Sequence, residues 1–268
     1  MKSGEEWFED ESFWTAYAPL MFDEGRWAEV PAVIDSIEAL AKPVAGGAVL
    51  DACCGPGRHS LELASRGYRV TGIDITRAYL EAARESAAAW AVDAEFLRAD
   101  LREFVRPGAF DLALNLYTSF GYFADPGDDL TALQNLHDCL APGGALVLET
   151  LGKEVAAKDF VEGEWFERGE WMVLTQYEVV GAWEGLRNRW IMIPRELAAP
   201  PSEGRPAANE DPRGHAAADR SFVLRLYSGS ELRDALFASG FRQVEIYGSL
   251  AGGPYDQTAK SLVAVARS

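Results

Sequence analysis

The stretch Val49-Leu50-Asp51-Ala52-Cys53-Cys54-Gly55-Pro56-Gly57-Arg58-His59-Ser60 constrains the fold more than any other part of the chain. An apolar pair runs into an acid, the backbone turns on small residues, and a helical pattern follows at Leu61-Glu62-Leu63-Ala64. The order is strand, glycine turn, helix. In that arrangement a ligand can lie against bare backbone beside the positive end of a helix dipole. A second acid, Asp74, ends the next apolar run, Arg69-Val70-Thr71-Gly72-Ile73. The two signals together point to a nucleoside-bearing ligand.

The pattern continues as an alternation. Strands are predicted at 48–52, 69–74, 94–97, 110–116 and 145–150, with helices at 60–66, 77–91 and 128–140. Gly67 closes the first helix, and Pro142-Gly143-Gly144 stops the last. Such spacing specifies a parallel sheet wound with right-handed crossovers. Asp51, Asp74, Asp100 and Asn115 all fall at predicted strand ends, where ligands of such sheets bind. From Trp165 to Tyr227 the period changes to two, and three antiparallel strands are expected. A Pro/Ala/Gly stretch between Ala198 and Arg220 reads as a long, mobile hairpin loop. The α/β pattern resumes at Ser228, which forms a capping box with Glu231. A helix to Ser239 follows, then two strands at 243–247 and 261–266, expected to be antiparallel neighbours. Upstream, Trp7–Leu40 reads as helical, with Pro31 opening a helix. The expected organisation is a helical lid at 1–40, a core at 41–157, an antiparallel insert at 158–227 and the rest of the core at 228–268.

Composition narrows the partners. A chain of 268 residues that is 48% hydrophobic supports one α/β domain with an insertion. Its apolar runs are too short to cross a bilayer, and the acidic, aromatic N-terminus is unlike a signal peptide. A net charge of −17 repels phosphate backbones, so no nucleic-acid partner is expected. The three cysteines have neither disulfide nor zinc spacing; a reducing cytoplasm and no metal are the expectation. The insert offers strands that could pair across a homodimer.

Each acid suggests a task. Asp51, before the turn, suits a cationic amine. Gly55 and Gly57 permit close approach, Asp74 grips a ribose diol, and Asp100 can accept from an adenine amino group. Dinucleotides share this logic. A pyrophosphate, however, wants a third glycine where this chain has Ser60, and Asp51 would face its phosphates. A cofactor with an α-amino group and no phosphate fits better, and S-adenosylmethionine has both properties. An NAD-linked oxidoreductase and a non-catalytic cofactor-binding regulator stand as competing readings.

The chain here resembles class I S-adenosylmethionine-dependent methyltransferases. The resemblance rests on 49–57, on Gly72-Ile73-Asp74-Ile75-Thr76, on Ala99-Asp100-Leu101, on 110–115 and on Leu140-Ala141-Pro142-Gly143-Gly144-Ala145-Leu146. It implies a Rossmann-like seven-stranded sheet, mostly parallel with the last strand antiparallel. It also implies that Asp51, Cys53, Gly55 and Gly57 line the methionine end. Asp74 and Ile75 would meet the ribose, and Asp100 and Leu101 the adenine. Asn115, Leu116 and Tyr117 would flank the sulfonium, with S-adenosylhomocysteine as product. Cys53 stands where the family usually has glycine.

The block Leu116-Tyr117-Thr118-Ser119-Phe120-Gly121-Tyr122-Phe123, the aromatic lid Phe13-Trp14-Thr15-Ala16-Tyr17 and the late insert resemble a small-molecule subgroup of that family. This implies a small acceptor enclosed by lid, insert and aromatic loop, methylated on N, C or O. Trp14, Tyr122, Arg189 and Tyr255 are expected to face it. A Tyr17–His59 pair, with Tyr117 beside the donor, is expected to handle the proton.

Overall fold

Val49 and Leu50 are completely buried, and the strand that holds them, β1 (Ala48–Ala52), is central. It pairs in parallel with β2 (Arg69–Asp74) on one side and β4 (Phe110–Asn115) on the other. A strand covered on both faces needs apolar residues at successive positions, which explains the run at 48–50. The computed structural model describes residues 6–195 and 218–268. As far as residue 217, the expected loop from Ala198 lies outside the described residues.

The sheet is completed by β3 (Ala94–Arg98), β5 (Leu140–Thr150), β10 (Gln243–Tyr247) and β11 (Leu262–Arg267), in the order β10-β11-β5-β4-β1-β2-β3. Only β11 runs against its neighbours. The order reverses between β1 and β4, so their carboxyl ends open a crevice at the switch point. Alternation sends neighbouring residues to opposite layers. Val49 packs with Ile34 and Ile37 of α3 (Val30–Ala41) and Leu63 of α4 (Arg58–Ser65). Leu50 packs with Leu133 and Leu136 of α6 (Pro126–Cys139) and Leu232 of α8 (Gly229–Ala238). Each such leucine contributes about 1.5–3 kcal/mol of burial. Helix α5 (Arg77–Trp90) covers the β2–β3 side through Leu80 and Ala83.

Upstream of the sheet, a 3-10 turn at Trp7–Glu9 leads into α1 (Glu11–Met21) and α2 (Glu24–Ala28), capped by Asp10 and Asp23. Pro31 sits in the first turn of α3. The insert follows the short helix α7 (Lys153–Lys158) and contains four antiparallel strands, not three. These are β6 (Gly163–Arg168), β7 (Trp171–Val180), β8 (Gly185–Pro194) and β9 (Ala218–Arg225). The extra strand, β6, is an edge strand whose residues are mostly exposed, so it leaves no buried alternation to read. The insert's Val173, Met192 and Phe222 pack on Phe13, Tyr17 and Leu20 of α1, which docks α1, part of the expected lid, onto the insert. Helix α6 stops as expected, but Pro142-Gly143-Gly144 lies within β5. There the β4–β5 register shifts, and Gly143 at φ 80° absorbs the irregularity. No described helix is long and apolar enough to cross a membrane.

Candidate active site

Beyond β1 the backbone passes through Cys53 at φ 62°, Gly55 at φ 55° and Gly57 at φ 80°. Cys53 therefore takes the left-handed conformation that glycine would take freely, at a cost of roughly 1–2 kcal/mol. Gly57 caps α4, and a Cβ there would come 2.9 Å from Ala83 Cβ and 3.1 Å from the Phe96 ring. Gly57 thus lets the helix close on its neighbours and does not line the cavity.

The acids are tied to this turn. Gly55 N and Thr76 N donate to the two oxygens of Asp74, at 2.9 and 2.8 Å. Asp51 is 3% exposed and accepts from Ser60 Oγ at 2.6 Å. The residue in the third-glycine position thus holds the first acid. Burial pushes Asp51 up to about 6, against the pull of Ser60 and of the Arg58 cation. Burial also raises Asp74. Asp100 sits beyond β3 under Arg102, which reaches its Oδ2 at 2.6 Å. Burial pushes the Asp100 carboxyl up, but the hydrogen bonds from Arg102 outweigh it and hold it below the usual range. Arg102 also meets Glu6, Glu9 and Asp128, drawing the lid's first turn toward the Asp100 end.

These groups open on one cavity of about 760 Å³, toward the upper end of the ~300–1,000 Å³ typical of small-molecule sites. Asp51, Cys53, Gly55, Asp74 and Ile75 line its wall at β1 and β2, with Asp100 and Leu101 beyond them. Leu116 and Tyr117 continue the wall after β4, and Trp14 and Tyr122 face the same space. Asn115 lies behind that wall, fully buried. Its Nδ2 donates to Ala52 O at 3.2 Å and its Oδ1 has no partner.

The loop after β4 is held under strain. Tyr117 and Thr118 both have positive φ, 55° and 60°, a conformation that costs of order 1–3 kcal/mol per residue. Glu149 secures it, accepting from Tyr117 N through its carboxylate and from Thr118 N through its backbone carbonyl. Further along, Gly121 at φ 97° would place a Cβ 2.6 Å from Arg225 O. Arg225 braces this loop through Phe123 O and Ala124 O, and pairs with the buried Asp129 at 2.8 Å.

The expected proton-handling pair does not form. Tyr17 is completely buried, donates to Trp190 O at 2.6 Å and does not line the cavity. It sits on the face of α1 that docks on the insert. His59 stacks instead on Tyr117, with ring centroids 5.4 Å apart. Burial and the neighbouring Arg58 cation push its pKa down to about 3, and its Nε2 is buried without a partner. It is a neutral imidazole and a weak base.

Two other expected residues point elsewhere. Arg189 is on the solvent face of β8, paired with Asp219 at 2.6 Å. With a period of two, its neighbours Asn188 and Trp190 face the cavity. Tyr255 donates to Glu154 Oε2 at 2.7 Å and packs on the backbone of Gly152 and Gly229, outside the cavity. Arg58, Thr175, Asn188 and Phe222, outside the expected set, also line it, as does Trp190, one of the aromatic residues of the insert. The inward register of β7–β9 accounts for all of these but Arg58.

Residues 49–144 match the methyltransferase domain family. A ubiquinone biosynthesis O-methyltransferase from Caulobacter vibrioides is 31% identical over 148 residues, which cover 53% of this chain and 57% of that protein. The chain spans about half the length of the curated relatives it matches. An S-adenosylmethionine-dependent methyltransferase from Clostridium acetobutylicum shares the fold at TM-score 0.74 and 13% identity, covering 96% of this chain and 97% of that one. CalS10, an amino pentose methyltransferase from Micromonospora echinaspora solved with S-adenosylmethionine bound, does so at TM-score 0.64 and 22% identity, covering 96% and 97%. At these identities the likeness is one of fold.

Proposed function

We propose that this chain, whose residues 49–144 match the methyltransferase domain family, is a class I S-adenosylmethionine-dependent methyltransferase that moves a methyl group to a nucleophilic N, C or O atom of a small molecule. When bound, S-adenosylmethionine supplies an electrophilic methyl carbon on its sulfonium. One observation carries the reading. Asp51, Asp74 and Asp100 stand at the carboxyl ends of three adjacent parallel strands and border one cavity. An ionised Asp51 offers a counter-charge to an α-ammonium and would repel a phosphate. Asp74, fixed by two backbone donors, keeps its carboxylate in place for a ribose diol. Asp100 and Leu101 provide the acceptor and the apolar edge that an adenine needs.

The remaining walls suit an acceptor. The inner face of the insert contributes Thr175, Asn188, Trp190 and Phe222, the lid Trp14 and the braced loop Tyr122. Aromatic walls with a few polar groups hold a small molecule in one orientation. Orientation alone can supply about 7–11 kcal/mol of barrier reduction. His59 is too weakly basic to store a proton at neutral pH, so it does not serve as a general base. An amine acceptor would then attack the methyl carbon through its own lone pair as the S–CH3 bond breaks, leaving S-adenosylhomocysteine, and would lose its proton to water. The substrate named for CalS10, an amino pentose, supports an amine.

The reading is tested by incubating the protein and S-adenosylmethionine with fractionated cell extract and following products by mass spectrometry. A metabolite that gains one methyl group, in step with S-adenosylhomocysteine formation, is expected. Donor that stays intact with every fraction contradicts the proposal.

A further inference from the structure

Arg58 is the anomaly of the glycine turn. Its side chain is 3% exposed, yet no described carboxylate lies within ion-pair distance of it. Its Nη1 donates to Arg26 O at 2.9 Å. Its guanidinium carbon lies 3.9 Å from the centre of the Tyr117 ring and 6.0 Å from that of Phe22. A buried guanidinium ordinarily has an anion, because desolvating it alone costs several kcal/mol. Here one cavity-lining neighbour, His59, is also buried with an unpartnered nitrogen. Asp51 lines the same cavity from the other side of the turn, engaged by Ser60 two residues beyond Arg58. The turn thus offers one unpaired cation and one carboxylate within a single subsite, the complement of an α-amino acid zwitterion.

We propose that Arg58 binds the α-carboxylate of the donor's amino-acid end, while Asp51 takes the ammonium, and that the same guanidinium reports occupancy to the lid through Arg26 O. The proposal rests on the donor reading given above. The connection to the lid is direct. Arg26 is part of α2, and Phe22, at the α1–α2 junction, lies 3.1 Å from where a Gly55 Cβ would stand. Arg58 therefore spans the donor subsite and the segment that covers it. A carboxylate at its free donors fixes the guanidinium, and that fixes its bond to Arg26 O.

Two ligands that differ only in the carboxylate separate this role from a structural one: S-adenosylmethionine and decarboxylated S-adenosylmethionine. Calorimetry on the wild type and on Arg58→Gln measures both affinities. The substitution is expected to weaken S-adenosylmethionine roughly tenfold to a hundredfold, as loss of a charge-assisted hydrogen bond does. It should change the decarboxylated form less than about twofold. Arg58→Lys, which keeps the charge but not the fork, should fall between, and it serves if the Gln variant is unstable. Amide hydrogen exchange supplies the second readout. S-adenosylmethionine should slow exchange at 24–28 in the wild type but not in Arg58→Gln. Equal weakening of both ligands, or none, overturns the carboxylate role. Equal protection of α2 in both proteins overturns the link to the lid. A wild type that binds neither ligand refutes the donor reading first, and this proposal with it.

Discussion

The two halves of the cavity are built in different ways. The half proposed for the donor, called the donor half, comes from the ends of parallel strands, where Asp51 and Asp74 are fixed by donors from the β1 turn and the end of β2, Ser60, Gly55 and Thr76. The acceptor half comes from the inner face of a separate four-stranded sheet and a lid docked on it by long-range packing, Tyr17 on Trp190 and Phe13 on Phe222. In the first half partners lie within 19 residues of each other in sequence. In the second, partners lie more than a hundred residues apart.

The largest effect should come from the donor half. Asp74→Ala removes the ribose carboxylate and leaves Gly55 N and Thr76 N without acceptors. S-adenosylhomocysteine affinity should fall about a hundredfold or more by calorimetry, from the loss of several charge-assisted hydrogen bonds. Retention within threefold would show that the donor half is not organised around this acid.

Trp190→Phe should separate the halves in the opposite sense. It keeps a ring against Phe222 and Tyr17, and the backbone carbonyl that receives the Tyr17 hydroxyl. It removes the buried indole N–H, which has no partner among the described residues, and trims the aromatic wall of the cavity. The acceptor KM should rise up to about tenfold from the lost apolar contact, with donor affinity unchanged. A change in donor affinity instead would mean that the two halves are coupled at this strand.

Asp51 gives a pH signature confined to the donor half. Its carboxyl titrates at about 6 before the donor arrives, raised by burial. A cationic ammonium beside it favours the ionised form and lowers that pKa. Affinity for S-adenosylhomocysteine should therefore be full above pH 6 and fall as pH drops through 6, by up to about tenfold per unit. Asp51→Asn should bind weakly, without that dependence. A wild-type affinity flat between pH 5 and 7 would remove the counter-charge role. The same residue sets a small term in stability. Because its folded pKa lies above the unfolded one, ionising it costs stability, and the cost grows as pH rises toward 6.

The smallest effect should come from Arg189→Ala. This side chain faces solvent and pairs with Asp219, a contact of little energetic weight. Both KM values should stay within about twofold of the wild type. A large rise in acceptor KM would return Arg189 to the site.

What could be read from sequence follows the same division. Strand ends are local features, so the acids at 51, 74 and 100 were legible without knowledge of the rest of the chain. Gly57 and Asn115 belong to the same motifs but serve behind the wall, one in helix packing and the other in holding Ala52 O. A motif locates residues near a ligand without saying which of them face it. In the insert the period of two was visible, but the inward register was not. A single-residue choice separates Arg189 from Asn188 and Trp190. Tyr17 meets Trp190 and not His59, because the docking face of α1 is set by the insert. Arg58 is not legible in the sequence, because a charged residue at a helix start normally faces water. Only burial shows that it does not.

The central claim is that the crevice at the β1–β4 switch point is an S-adenosylmethionine site and not a dinucleotide site. Parallel calorimetric titrations of the full chain with S-adenosylhomocysteine and with NAD test it most directly. Micromolar binding of S-adenosylhomocysteine, with none detectable for NAD, is the predicted result. Binding of NAD with no response to S-adenosylhomocysteine would contradict it.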